Sequence, residues 1–160
     1  MNEKLFNLMN KQVTNEHGAA LIYTQLAYEL DELSLPGMRD WMFKQADEER
    51  EHAQKFADHL LDRDEKPQIG EISVDDLKIE KPVDAFKAAL EHEKKVSGQI
   101  RDIVRLADEI DDVDSRTLLN WFLDEQIEEE ASVSEIIDQL ELVGDNGSGI
   151  LRIDSQLSER

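Results

Sequence analysis

Glu49 and His52 stand three residues apart in the run Asp47-Glu48-Glu49-Arg50-Glu51-His52. The surrounding apolar residues recur at helical spacing, and three apart on a helix means one face, one turn away. That face is apolar: Trp41 and Gln45 precede Glu49 by fours, and Phe56 and Leu60 follow His52. A carboxylate and an imidazole aimed at a core need a partner, because an unpaired buried charge is too costly to keep. The chemistry open to them is pairing with another charge or coordination of a metal ion.

Three further stripes are broken by carboxylates near their middles. Glu16 lies in the run Gln12, Glu16, Ala20, Tyr23, and Glu93 lies between Leu90 and Val96. Glu125 follows Trp121, and Glu128 and Glu129 precede Val133. One such residue alone reads as an edge charge; one on each of four helices reads as a layer. The inward faces near these acids carry almost no Lys or Arg, which speaks against an ion-paired core serving packing alone. An oxygen-rich set with one imidazole suits iron or manganese better than copper or a structural zinc. The chain has no cysteine, so thiolate sites and disulfides are excluded.

The elements that must position these groups are helices. Apolar spacing predicts them over about residues 2–34, 36–64, 82–110 and 113–143, with a short fifth at about 149–158. Asn2 is the expected N-cap of the first, and Pro36 and Pro82 are the expected first residues of the second and third. The turn Asp111-Asp112-Val113-Asp114 offers caps to the fourth, Gly144 is its expected stop, and Ser148 is the expected cap of the fifth. Residues 65–81, with Pro67 and Gly70, show no helical period. An extended run of that length reaches on the order of 50 Å, against about 42 Å for a helix of about 28 residues. It can cross the bundle end to end, so the second and third helices are expected to run parallel. The fold class is all-α, a four-helix bundle with one long crossover connection and a short fifth helix, forming a single domain over 1–160. Counted from the turns, the carboxylates fall within about 10 Å of one level. The two hairpins therefore read as copies around a pseudo-two-fold axis.

The 38 Asp and Glu residues against 18 Lys and Arg leave a net charge of −20. Such a surface favours cationic partners and argues against nucleic acid and anionic membranes. No stretch approaches the ~18 apolar residues of a membrane span. Met1–Phe6 mixes charge into its apolar pattern, so no signal peptide is expected and the expected location is the cytoplasm.

Together these segments resemble the bacterial non-haem ferritins over the whole chain. The likeness is carried by Asn15-Glu16 with Tyr23, Glu48-Glu49-Arg50-Glu51-His52, Glu93, and Trp121-Phe122-Leu123-Asp124-Glu125-Gln126-Ile127-Glu128-Glu129, and it extends to the tail from Val143-Gly144 to Leu157. The resemblance implies a ferroxidase centre with two irons per subunit. Glu16, Glu49 and His52 would hold one iron. Glu49 would bridge to a second, held by Glu93 and Glu129 with Gln126 nearby. Glu48, Glu125, Glu128 and Glu129 match an additional third iron site, and Tyr23 stands where the family has a tyrosine beside the centre. The resemblance also implies oxidation of ferrous iron by dioxygen or hydrogen peroxide and storage of ferric mineral in a hollow shell of twenty-four chains.

Some positions depart from related patterns. Bacterioferritins carry a haem-binding Met directly after the Glu of the second-helix Glu-x-x-His. Arg50 stands there in this chain, and the fourth helix has Glu125-Gln126-Ile127-Glu128 without a histidine, so no haem is expected. His17, His59 and His92 are read as non-ligands, and Trp121 as core filler. Arg116 and Leu119 occupy the positions where animal-type shells place pore acids. The rival reading is a di-iron or manganese oxidase or peroxidase of the same fold, small in assembly and storing nothing.

Overall fold

The stripes form four long helices: α1 Glu3–Glu32, α2 Pro36–Asp62, α3 Pro82–Glu109 and α4 Arg116–Val143, followed by a short α5, Gly147–Leu157. This computed structural model describes residues 1–160. The helix ends follow side-chain chemistry. Asn2 Oδ1 accepts from Lys4 N at 2.9 Å and Leu5 N at 3.2 Å, answering two of the orphan donors of α1. Asp84 accepts from Lys81 N at 2.9 Å at the start of α3. Gly144, at φ 56°, ends α4 in a conformation that a side chain would strain.

Two expected caps are different. α5 is capped by Asn146, whose Oδ1 accepts from Gly149 N at 3.0 Å, so Ser148 lies inside the first turn. The acidic turn caps nothing. Val113–Ser115 form a 3-10 turn, and Asp112 instead receives both Arg63 terminal nitrogens, at 2.8 and 2.9 Å, together with the Ser115 hydroxyl. α2 has no side-chain cap of its own at Leu35. Its first amides are met from α5: the Asp154 carboxylate accepts from Met38 N at 2.7 Å and Gly37 N at 3.2 Å. A Cβ at residue 37 would overlap the Asp154 carbonyl, so the close approach requires glycine.

The crossover runs along α1 in the direction of α1. Asn10 exchanges bonds with the Gln68 backbone, Thr14 Oγ1 accepts from Gly70 N at 3.0 Å, Ile72 lies beside Gly18, and Val74–Leu77 lie beside Gln25 and Glu29. The chain is thus carried back to the end where α2 began, and α2 and α3 run parallel. α1 packs chiefly on α2, and α3 on α4.

The core is in two parts. One apolar cluster gathers Tyr23, Leu26, Met38, Met42, Phe86, Val133 and Leu140 with their neighbours; the other gathers Leu5, Met9, Phe56, Leu60, Ile100, Leu119 and Phe122 with theirs. By residue order along the helices, Glu16, Glu49, His52, Glu93, Gln126 and Glu129 fall between these clusters, with Gln12 and Gln45 at the edges of the gap. Two apolar plugs close a polar layer from both ends.

Candidate metal centre

Each helix brings its polar groups to the layer by spacing of three or four. On α1, Gln12 Nε2 donates to Glu16 Oε1 at 3.0 Å; on α2, Gln45 Nε2 donates to Glu49 Oε1 at 3.2 Å and also to Glu129 of α4. Glu93 of α3 accepts from the Tyr23 hydroxyl at 2.6 Å and from Gln126 Nε2 at 3.1 Å. Gln126 also donates to Ser97 Oγ at 3.1 Å, and the Ser97 hydroxyl donates in turn to Glu130 at 2.7 Å. His52 Nδ1 is 3.2 Å from Glu49 Oε2 and 4.0 Å from Glu16 Oε2, while Nε2 faces Glu125 Oε1 at 3.5 Å.

Three groups result: Glu16, Glu49 and His52; Glu49, Glu93 and Glu129; and His52, Glu125 and Glu129. In each, one donor atom per residue lies within 4.8 Å of the others. Any two groups share one residue, so the three are adjacent and not separate sites. Glu16 is fully buried, Glu49 and Glu93 are 1% exposed, and no Lys or Arg joins the groups. Glu16 Oε2 has no hydrogen-bond partner.

Burial pushes carboxylates so confined towards their protonated form. Burial, then the neighbouring Glu49 charge, pushes Glu16 well above the usual carboxylate range. Burial followed by Glu93 does the same to Glu49. Burial raises Glu93 against the opposing hydrogen bonds from Tyr23 and Gln126. Glu129 is pushed up to about 9 by burial first, then by Glu93, Glu125 and Glu48. Burial and Glu93 likewise raise the Tyr23 phenol well above its ordinary value, so it remains a donor. A divalent cation reverses this balance, because it supplies the positive charge that the layer lacks.

Not every residue singled out from the sequence lies in these groups. Glu48 is half-buried and pairs with Arg160 at 3.0 Å, and Glu128 is exposed on α4. Trp121 is not core filler. It is 37% exposed, sits edge-on to His52 at 5.5 Å between ring centroids, and carries Lys55 Nζ 4.4 Å over its ring. Leu119 faces the core, not a pore, while Arg116 is exposed. His17 and His92 lie outside the groups, as does His59, which pairs with Ser115 Oγ at 2.9 Å. Spacing could have found Gln12 and Gln45, each four residues before a layer glutamate. Arg160 carries no such signal, because it reaches Gln45 across 115 positions.

A helical bundle with adjoining carboxylate and histidine groups sealed in its middle defines the class of carboxylate metal-site bundles. The ferritin-like domain family matches residues 6–143, and this chain belongs to the ferritin family. It is 32% identical over its full length to a bacterial non-heme ferritin of Bacteroides fragilis, covering 99% of that protein. It is 30% identical to one of Staphylococcus haemolyticus, covering 96%. Among solved structures, an open-pore ferritin of the hyperthermophilic archaeon Archaeoglobus fulgidus superposes with a TM-score of 0.97 at 31% identity, with 100% of this chain and 99% of that one covered. No helix is long and apolar enough to cross a membrane.

Proposed function

We propose that this chain is an iron-storage ferritin subunit that oxidises ferrous iron within its own bundle. Glu16, Glu49 and His52 hold one iron, and Glu49, Glu93 and Glu129 hold a second, with Glu49 common to both. Tyr23 and Gln126 fix Glu93 from opposite sides. The observation that carries the reading is the buried, unpartnered Glu16 Oε2 beside His52 Nδ1 and Glu49. An oxygen that finds no donor in the chain is matched by a cation that is not part of the chain. Because His52 Nδ1 faces the first site and Nε2 faces Glu125, the N–H belongs on Nε2, where Glu125 orients the ring.

Hard carboxylates bind ferrous iron and favour ferric iron still more. Two ferrous ions give up one electron each. Dioxygen takes both electrons with two protons and leaves as hydrogen peroxide, or hydrogen peroxide takes them with two protons and leaves as two waters. The second site has no imidazole and holds its ion less tightly, which favours onward passage to mineral. Glu125 and Glu129, with Glu48 and Glu128 at the rim, serve a third, outer ion. Twenty-four chains form the shell. The open-pore description of the Archaeoglobus relative and the exposed Leu142, Ile127 and Leu151 support assembly.

Aerobic ferrous titration of metal-free protein, followed by sizing and an iron count per particle, tests this reading. A large particle holding far more iron than its side chains can ligate is expected, with oxidation slowed in Glu49→Ala. A small oligomer saturating at two or three irons per chain would replace storage with a di-metal oxidase. Iron retained in every subunit after chelation would overturn onward passage.

A further inference from the structure

After α5 the chain turns back along α2, where Arg160 spans three successive turns of that helix. Its guanidinium lies 4.3 Å over the Trp41 ring and donates to the Trp41 carbonyl at 3.1 Å. It also donates to Gln45 Oε1 at 2.7 Å and pairs with Glu48 at 3.0 Å. Gln45 is buried, and its amide nitrogen donates to both Glu49 and Glu129. One arginine therefore holds the rim carboxylate and, through one amide, orients the link between two groups of the metal layer. No other Lys or Arg reaches that layer through a buried side chain.

We propose that Arg160 is a built-in counter-cation at the outer rim of the metal layer, which a metal ion must displace from Glu48 in order to bind there. This rests on the reading of the layer as an iron centre with an outer site. While docked, the guanidinium occupies Glu48 and keeps the Gln45 oxygen away from the layer, so the inner pair of sites fills first. Filling the outer site draws Glu48 inward, frees Arg160 from the Trp41 ring and releases the Gln45 amide. The tail thereby couples outer-site occupancy to the residues held at the start of α2, where Asp154 anchors α5.

Zn2+ is the probe, being redox-inert and silent in fluorescence. The Trp121→Phe background leaves Trp41 as the remaining one of the chain's 2 tryptophans. Calorimetry and Trp41 emission are followed together in that full-length background, with Arg160, Arg160→Gln and Arg160→Lys. Three binding steps are expected with Arg160 present, the third accompanied by a change in Trp41 emission. Arg160→Gln should tighten the third step about 3- to 10-fold, on the order of one half-exposed ion pair with a stacked guanidinium. It should shift the first two steps by less than the third and remove the emission change, with Arg160→Lys intermediate in affinity. Three steps of equal affinity in all variants, with Trp41 emission unmoved, would overturn the displacement while leaving the outer site standing. Only two steps in every variant would overturn the outer site and the displacement with it. Absence of tight binding would overturn the metal centre itself.

Discussion

Glu49 belongs to two of the three candidate metal groups, and its burial sets the proposed metal binding against stability. A carboxylate at 1% exposure with acidic neighbours is costly to ionise in the metal-free chain, and a cation relieves that cost. Glu49→Gln keeps the shape and removes the ionisable group. It should raise the melting temperature of metal-free protein at pH 8 by about 2–4 °C per kcal/mol relieved, while weakening Zn2+ binding. A lower melting temperature with binding intact would contradict the argument. The same balance gives a pH dependence with a definite sign. Glu129 is held up to about 9 in the folded chain against 4.5 in its ordinary state, so between those values the folded chain binds the extra proton. Stability of metal-free protein should therefore fall as pH rises from about 5 towards 9. Saturating Zn2+ should flatten the trend and release protons on binding, which calorimetry in buffers of different ionisation enthalpy will count. No proton release at neutral pH would show that the carboxyls were already ionised.

α5 is held by what it lends to α2. Asp154 is 7% exposed and accepts from two amides at the start of a helix whose own N-cap offers no side chain, so it acts as cap and as dipole partner from across the fold. Asp154→Ala should cost about 1–2 kcal/mol and raise amide exchange across 147–157, leaving exchange in α1 and α3 unchanged. Uniform loosening of the bundle would overturn this local role. The four long helices were legible because their stripes repeat over many turns, and the crossover because Pro67, Gly70 and Pro82 bracket a run without period. Glu16, Glu49, His52 and Glu93 could be placed on one level because helical rise converts residue number into height. What the sequence hid depends on contacts between distant parts. Asn146 and Ser148 are equally good caps in isolation, and only the path out of Gly144 selects Asn146. Trp121 reads as core beside Phe122, yet it lies at the edge of the stripe and covers His52 with its other side towards solvent. Arg160 and Asp154 have no local pattern that announces a partner more than a hundred residues earlier.

The whole molecule carries a net charge of −20, which draws cations to it. Acidic residues exceed basic ones by 38 to 18, and the ionisable layer is sealed between two apolar clusters. These two features respond differently to salt. Surface charge attracts ferrous iron over distances comparable to the Debye length, about 10 Å at 0.1 M salt. Carboxylates inside the bundle would lie closer than that to an ion bound among them, with little mobile salt between. Raising sodium chloride from roughly 20 to roughly 300 mM should therefore lower the second-order rate of iron capture about 3- to 10-fold. The rate at saturating ferrous iron, set within the layer, should barely change. Stopped-flow oxidation over a range of iron concentrations separates the two. Equal slowing of both would mean that salt reaches the centre itself, and the sealed layer would then be more open to solvent than the two apolar clusters imply. Slowing of capture alone is the behaviour of a buried redox site fed by an acidic surface.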